Sequence, residues 1–146
     1  MNTLSIKEIA FGSKDYRKAV VIRDEVLRVP LDLSFSQEEL KEDSDDIHIA
    51  GFSNKTMIGT LILSPQNEET IRMRQVAVHS DYQKKSFGKQ LVELAEKFAI
   101  EQGFKKMMLH SREDVIPFYT KLGYTVYGDR FESVTLPHFC MEKQLV

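Results

Sequence analysis

The sequence has few of the residues that define several other classes of protein: of its 146 residues, one is cysteine, none is tryptophan and four are proline. Cys140 alone cannot form an internal disulfide. No window approaches the roughly 18 apolar residues of a membrane span, and the N-terminus lacks the charged and then apolar plan of a signal peptide. The four histidines are scattered, without metal-ligand spacing. We therefore expect a cytoplasmic protein with no metal and no membrane partner.

A strong charge of either sign is also missing. Twenty Lys and Arg against 22 Asp and Glu give a formal net charge of −2, which provides no global attraction to nucleic acid or to an anionic membrane. The 42% hydrophobic and 29% charged residues are typical of a soluble globular protein. No repeat, low-complexity tract or linker divides the chain, so we expect one domain over residues 1–146.

Hydrophobic periodicity predicts a series of strands and helices. The strands are expected at Leu4–Ala10, Ile47–Phe52, Met57–Leu63, Thr70–Val78, Lys106–Leu109, Tyr124–Gly128 and His138–Gln144. The helices are expected from Ser13 or Asp15 to about Arg28, from Ser36 to about Asp43, from about Ser86 to Gln102 and from about Asp114 to Leu122. This order predicts an α/β (α+β) fold, with a mixed, largely antiparallel central sheet of about six to seven strands flanked by about four helices.

The same periodicity predicts which helix positions face the core. The first helix is expected to place Ala19, Ile22, Val26 and Val29 inward. The long third helix is expected to bury Phe87, Leu91, Leu94, Ala95 and Phe98. The last helix is expected to bury Val115, Phe118 and Leu122.

The stretch from Gln83 to Lys89 is the most informative part of the chain. It opens an amphipathic helix with Lys84, Lys85 and Lys89, and no acidic residue lies between Gln83 and Val92. A helix N-terminus leaves about four N–H groups without intrahelical partners and carries about half a positive charge. Cations are unfavourable there unless an anion binds, so the pattern indicates a phosphate or pyrophosphate site. A solvated basic turn explains charge and spacing equally well.

Two blocks of residues make the chain resemble the GNAT superfamily of N-acetyltransferases. In the first, which begins at Gln75-Val76-Ala77-Val78, Gln83-Lys84-Lys85-Ser86-Phe87-Gly88 resembles the family's Arg/Gln-x-x-Gly-x-Gly/Ala acyl-CoA loop. In the second, Phe118-Tyr119-Thr120-Lys121-Leu122-Gly123-Tyr124 resembles its Phe-Tyr-x-Lys-x-Gly-Phe/Tyr helix end. The ending, with Phe131, Pro137, His138 and Met141, is similar to one small branch of the superfamily. The likeness covers nearly the whole chain.

The resemblance implies an acetyl-CoA-dependent N-acetyltransferase, which moves an acetyl group by direct transfer to a primary amine of a small molecule or protein. It implies that a strand pairs with the pantetheine arm and that a backbone N–H there polarises the thioester carbonyl. It also implies that the loop binds the pyrophosphate. The cofactor-binding residues would be Val76, Ala77, Val78, Gln83, Lys84, Lys85, Ser86, Phe87, Gly88, Lys89 and Arg112, the last of which stands where the family often has asparagine.

Two departures from the family's loop concern glycine. Ser86 replaces the first motif glycine, and Lys84 stands where a glycine often follows the initial Arg or Gln, whereas Gly88 is kept. Glycine lets a backbone approach phosphate closely and adopt positive φ. Ser86 keeps its N–H and adds a hydroxyl donor, so we expect CoA binding to survive.

Acetyl transfer needs a neutral amine, a polarised carbonyl and a protonated leaving thiolate. By resemblance Tyr119 is the general acid, since a phenol with a pKa of about 10 is neutral at physiological pH. Without the resemblance, the residue type of Tyr119 favours a structural role as a half-buried aromatic side chain of a helix. Arg72 stands about where some family members carry a strand glutamate, so that base is absent.

Several groups remain open as the base. Glu132 and His138 are candidates for base or substrate contact, because closing strands border the acceptor cleft in this family, although His138 also suits a structural role. The acidic run of Asp43, Asp45 and Asp46 with His48 is another candidate, or a solvated loop. Solvent would need no dedicated residue. Cys140 lacks the context of a nucleophile and suits a small apolar filler.

A second class of function competes with the enzyme. The altered glycines and the absent strand glutamate suit a non-catalytic acyl-CoA-binding or regulatory module with the same fold. Nucleic-acid binding is disfavoured by the net charge and by the lack of an interleaved basic and aromatic surface. The sequence leaves the acceptor amine and the oligomeric state open, a homodimer included.

Overall fold

The computed structural model describes residues 3–146. The strands are β1 (Ser5–Ile9), β2 (Ile47–Ser53), β3 (Thr56–Pro65), β4 (Thr70–Val78), β5 (Lys106–Arg112), β6 (Thr125–Ser133) and β7 (Leu136–Gln144). The α-helices are α1 (Lys14–Arg23), α2 (Gln37–Glu42), α3 (Phe87–Glu101) and α4 (Ile116–Lys121). No helix within the described part of the chain is long and apolar enough to cross a membrane.

The strands form one seven-stranded sheet in the order β1-β2-β3-β4-β5-β7-β6. β4 and β5 are parallel, whereas β1 with β2, β2 with β3, β5 with β7 and β6 with β7 are antiparallel. The predicted mixed, largely antiparallel sheet with four helices is confirmed.

The chain divides into two compact units. One comprises the described residues up to Ser64 together with Gln75–Ala95, and the other comprises Pro65–Arg74 and Glu96–Val146. β4 and α3 each contribute residues to both units.

In the first unit, Ser13 begins α1, because its hydroxyl accepts the backbone N–H of Tyr16 at 3.1 Å. Beyond Arg23 the chain continues as a π-helical turn over Asp24–Arg28 and a 3-10 turn over Val29–Leu31. Ala19 and Ile22 are buried as predicted, but Val29 is 57% exposed, and its predicted inward position is wrong. The wider π turn changes the helical phase, so a 3.6-residue count no longer places Val29 inward.

A capping box begins α2 at Ser36, where the sequence predicts the start of this helix. The Ser36 hydroxyl accepts the N–H of Glu39 at 3.1 Å, and the Glu39 carboxylate accepts the N–H of Ser36 at 3.3 Å. Sequence reasoning missed Arg23, which is buried 3.6 Å from the Asp43 carboxylate and 4.7 Å from the centre of the Phe35 ring. An arginine in an amphipathic helix is normally assigned to the solvent side, so only the fold reveals this pair.

The third helix has nearly its predicted length but a wider buried stripe. Phe87, Leu91 and Ala95 are buried as predicted, and Leu94 and Phe98 are only half-buried. Val92, Glu96 and Ala99 are buried instead. The stripe therefore lies slightly around the helix from the predicted one, because Leu91 packs against β2 and β3 while Glu96 bonds Tyr124 and Lys143.

In the second unit, β5, β6 and β7 are longer than predicted. β6 continues to Ser133, and β7 begins at Leu136. Val134 and Thr135 form the turn between them with φ of 51° and 66°. Such a turn normally contains Asn-Gly or Asp-Gly, so its sequence carries no hairpin signal.

The inward face of α4 also differs from the prediction. Tyr119 is its buried residue, whereas Val115, Phe118 and Leu122 are only half-buried. The α-helix begins at Ile116 after a 3-10 turn over Glu113–Val115, so the helical phase starts later than the sequence pattern implies.

Candidate active site

β4 contains a left-handed residue in its middle. Gln75 has φ of 54°, the geometry of a residue that interrupts a strand. The parallel register of β4 with β5 covers Thr70–Met73 and stops just before it. The last part of β4 therefore departs from regular ladder geometry, and sequence reasoning had no signal for a glutamine in this conformation.

Val76, Ala77 and Val78, the predicted pantetheine-binding residues, form the end of β4 after this irregularity. Ala77 is buried, and a side-chain carbon on Gly59 of β3 would lie only 3.0 Å from the Ala77 carbonyl oxygen. Gly59 thus permits close approach of the two backbones, which fixes the position of this stretch.

The predicted acyl-CoA loop follows a short 3-10 turn over Ser80–Tyr82. The Gln83 side-chain amide donates a hydrogen bond to the carbonyl oxygen of Val78 at 2.9 Å, which ties the loop to the end of β4. Lys84 and Ser86 have φ of 63° and 62°. The N–H of Gln90 donates to the Ser86 carbonyl oxygen at 3.1 Å, so helical bonding begins directly at the loop.

The two left-handed residues stand where the resembled motif carries glycine. The backbone keeps a glycine-like conformation although the side chains have changed, at a cost of about 1–2 kcal/mol for each residue. Lys84, Lys85 and Lys89 are exposed, whereas Phe87 is buried. The first turn of α3 has no acidic residue. Exposed cations at the start of a fifteen-residue helix are suited to binding phosphate oxygens.

Tyr119, the predicted general acid, lies in an aromatic cluster of the second unit. Its ring centre is 5.0 Å from that of Phe118 and 5.7 Å from that of Tyr124. Burial raises the pKa of the Tyr119 phenol well above its ordinary value. The phenol is therefore protonated throughout the neutral pH range.

The end of α4 is held by a buried polar network. The Tyr124 hydroxyl donates to the Glu96 carboxylate at 2.7 Å, and the Lys143 ammonium donates to both Glu96 oxygens at 3.0 and 3.1 Å. Gly123 ends the helix with φ of 99°. Burial, and then the Glu96 charge, raise the pKa of Tyr124, so it too stays protonated.

His138 and Glu132, both candidates for base or substrate contact, do not share a face of the sheet. Phe131 lies opposite His138 in the β6–β7 ladder, whereas Glu132 lies opposite Pro137. Because successive strand residues point to opposite sides, Glu132 points away from the face that carries His138. His138 Nδ1 lies 2.9 Å from the Leu136 carbonyl oxygen, so Nδ1 carries the proton and Nε2 is left as an acceptor.

Arg112, the predicted CoA contact at the end of β5, lies opposite His138 in the β5–β7 ladder. Its guanidinium donates to the Asp114 carboxylate at 3.2 Å. The side chain is about one-third exposed, so it combines a local ion pair with access to solvent.

Sequence reasoning missed the contact between Arg72 and His110. The Arg72 guanidinium lies 2.9 Å from His110 Nδ1. Burial, followed by the charges of Arg72, His138 and Arg74, lowers the pKa of His110 to about 4. His110 is therefore neutral at physiological pH; since an arginine can only donate, Nδ1 accepts and Nε2 carries the hydrogen. Nothing in the sequence sets the register that brings these two residues together.

Two residues of the acidic segment, which is the third candidate for the base, are buried in the first unit. His48 is 3% exposed, and its Nε2 lies 2.8 Å from the Asp43 carbonyl oxygen. Burial lowers the pKa of His48 and keeps it neutral. Asp43 is buried beside Arg23, and Asp45 is exposed. Across residues 3–146, no group of three or more His, Cys, Asp or Glu is arranged to hold a metal ion.

Comparison with known proteins agrees with this geometry. Residues 15–124 match the model of the acetyltransferase (GNAT) family. The Bacillus subtilis protein named "Putative acetyltransferase BSU40680" is 27% identical over 130 residues, which cover 89% of this chain and 86% of the relative. The chain belongs to the acetyltransferase (GNAT) family and is an enzyme of the acyltransferase class.

Solved structures share the fold over almost the whole chain. A "putative N-acetyltransferase" from Lactobacillus plantarum has a TM-score of 0.85 and 26% identity, covering 99% of this chain and 100% of that one. A GNAT family acetyltransferase from Elizabethkingia anophelis, solved with acetyl-CoA bound, has a TM-score of 0.74 and 16% identity, covering 97% of both chains. The predicted family and fold are confirmed.

Proposed function

We propose that the chain is a single-domain, acetyl-CoA-dependent N-acetyltransferase that acetylates a primary amine of a small molecule or protein by direct transfer. The observation that carries this proposal is the left-handed backbone at Lys84 and Ser86. A loop that keeps a strained, glycine-like conformation without glycine is consistent with selection for the positions of its N–H groups. The acetyl-CoA bound to the Elizabethkingia anophelis relative supports the choice of co-substrate.

In this proposal the backbone from Gln83 to Lys89 binds the pyrophosphate, and Lys84, Lys85 and Lys89 add charge. The backbone of Val76–Val78 pairs with the pantetheine arm, and one of its N–H groups polarises the thioester carbonyl. The irregular geometry at Gln75 supports this role, because it interrupts the regular ladder of β4 directly before that stretch. Arg112 contacts a CoA phosphate or the edge of the pantetheine arm.

The acceptor nitrogen forms a bond to the acetyl carbon as the carbon–sulfur bond breaks. Tyr119 gives its phenolic proton to the departing thiolate, and its raised pKa keeps that proton in place beforehand. His138 Nε2, oriented by the bond from Nδ1 to Leu136, accepts the proton that the amine loses. Solvent is the alternative proton acceptor, whereas Glu132 points away from the face that carries His138 and has no part in this step.

Two measurements test the proposal. Calorimetry at low salt should show CoA binding, and thiol release from acetyl-CoA should exceed the acceptor-free rate for at least one member of a panel of primary amines. Binding without turnover on any amine would favour the non-catalytic acyl-CoA-binding module. Absence of CoA binding would contradict both functions. Equal CoA affinity for the native chain and Arg112→Ala would remove Arg112 from the binding site.

A further inference from the structure

One side of the sheet in the second unit carries an unusual set of polar and aromatic side chains. In the ladders, Arg72 lies opposite Met108, His110 opposite Cys140, and Tyr127 opposite Cys140. Residues opposite each other or two apart share a face. The Arg72–His110 face therefore includes Arg72, His110, Tyr127, Phe131, His138 and Cys140, and Arg112, opposite His138, lies at its edge.

At the centre of the same strands, the other side is apolar and closed. Ile71, Met73, Met107, Leu109 and Met141 are each at most 2% exposed. On the Arg72–His110 face, in contrast, Arg72 and His110 are half-buried and Tyr127 is 39% exposed. The Arg72–His110 face is therefore the more open side in this part of the sheet.

The contact between Arg72 and His110 fixes a hydrogen-bond donor on this face. Nδ1 of His110 accepts from Arg72, so its Nε2–H is available to donate. A guanidinium carries five N–H donors, so Arg72 can hold His110 and other groups at once. Together they place guanidinium N–H groups beside an imidazole N–H, and both are donors of the kind that bind a carboxylate.

The charges around His110 also favour an anion. Besides burial, the groups that disfavour its protonated form are Arg72, His138 and Arg74. Arg72 and Arg74 are permanently charged, so the field that opposes a positive charge on this ring favours a negative charge beside it. Glu142, an acidic residue of the same face, is paired with Lys106 at 3.4 Å. The Phe131 ring, 5.1 Å from His110 and 5.8 Å from His138, adds an apolar surface beside these donors.

We infer that Arg72 and His110 bind a carboxylate of the acceptor, so that the acceptor class is an amine bearing a carboxylate, such as a free amino acid, rather than a simple amine. This inference rests on the proposed N-acetyltransferase function. Phe131 and Tyr127 lie where an apolar side chain of such an acceptor would contact the face. The carboxylate of the acceptor then explains why this chain has Arg72 at the position where some family members carry a strand glutamate.

Matched acceptors that differ only in the carboxylate test the inference. Phenylalanine is compared with phenethylamine, and tyrosine with tyramine, at saturating acetyl-CoA. The expected kcat/KM is at least about tenfold higher for the amino acid of each pair, since hydrogen bonds to a charged group are the stronger kind. Arg72→Met and His110→Phe should reduce this ratio by about tenfold. Arg130→Met is the matched control, because Arg130 is exposed on β6 and paired with Glu113, and it should leave the ratio unchanged.

A binding measurement keeps the test independent of turnover. With CoA present, calorimetry compares N-acetylphenylalanine with N-acetylphenethylamine on the native chain, Arg72→Met and Arg130→Met, with thermal melting to verify folding. A preference for the compound with the carboxylate that disappears in Arg72→Met supports the inference. It does so even if no acceptor is acetylated, because a lack of turnover counts against the proposed function alone. Equal binding of the two compounds, or a preference that survives Arg72→Met in a folded protein, would overturn it.

Discussion

The two segments that carry the family's motifs have different residue types at their left-handed backbone positions. At the end of α4, Gly123 has φ of 99° and is a glycine. In the loop before α3, Lys84 and Ser86 have φ of 63° and 62° and are not. The helix end therefore uses a residue that adopts its conformation without strain, whereas the loop keeps its conformation against the preference of its residues.

The two segments also differ in how many of their side chains are held by contacts within the protein. The residues around Gly123 are held by protein, through the bonds of Tyr124 and Lys143 to the buried Glu96. The loop has the Gln83 bond to Val78, and its three lysines are exposed. The difference teaches that one motif segment completes its interactions within the fold, while the other keeps its charged side chains exposed, as the proposed CoA loop requires.

The largest effect is expected from Tyr119→Phe, which tests whether the helix end is only structural. The change keeps the ring and its packing but removes the hydroxyl, so turnover should fall by about 10²-fold if Tyr119 supplies the proton. The CoA dissociation constant should change little, because the interaction strengthens only as thiolate charge develops. Both constants are measured on one preparation.

Tyr124→Phe is the matched control for that variant. It removes the hydrogen bond to Glu96, so its main effect should be a lower melting temperature, with a smaller effect on turnover than Tyr119→Phe. Unchanged turnover in a folded Tyr119→Phe protein would assign the proton to water or to another group.

The next largest effect is expected from Gly123→Ala, with a loss of about 2 kcal/mol in the free energy of unfolding. The new side chain would adopt a left-handed φ and lie 3.3 Å from the Lys143 side chain. Gly103→Ala is the control, since Gly103 has φ of 97° with nothing within 4 Å of the added carbon. Denaturant titration of both variants separates backbone strain from crowding. A larger loss of unfolding free energy in Gly103→Ala would show that the contact with Lys143 does not destabilise Gly123→Ala.

A smaller effect is expected from removing charge in the loop. The double change Lys84→Gln and Lys85→Gln should weaken CoA binding by about tenfold at low salt and flatten its salt dependence. Lys97→Gln, an exposed lysine further along α3, is the control and should leave both unchanged. A full salt dependence in the double variant would show that the loop lysines do not face the phosphates.

The smallest effect is expected from Ser86→Gly. Relief of the left-handed strain, less the added entropy of the unfolded chain, should raise the free energy of unfolding by about 0.5 kcal/mol. Ser80→Gly, at a residue of the 3-10 turn without positive φ, should lower it. A loss of stability in Ser86→Gly would mean that the serine side chain compensates for the strain of its backbone.

The fold was predictable because most of its elements have a clear period. The helix start at Ser36 is a local pattern, so its prediction needed no tertiary information. The turn at Val134 and Thr135 has positive φ values without the residue types that signal such a turn, and it was missed. In both cases the success of the prediction depended on whether the residue types at that position signal the local structure.

The candidate site was predictable only where a motif lies within one segment. The loop and Tyr119 follow from contiguous residues. The contact of Arg72 with His110 depends on the register of two strands that α3 separates in the chain, and the register is set by packing. Glu132 and His138 are both candidates in the sequence, but the alternation of strand residues puts them on opposite sides of the sheet.

The parallel pairing of β4 with β5 has a consequence for how the chain folds. Thr70 meets Lys106 only after the whole of α3 has been spanned, whereas β6 meets β7 across a two-residue turn. Local pairings lose less chain entropy on closure, so the β6–β7 hairpin should form early and the β4–β5 ladder late. Substitutions at Val134 should then change the folding rate, while those at Met73 or Leu109 should act mainly on the unfolding rate.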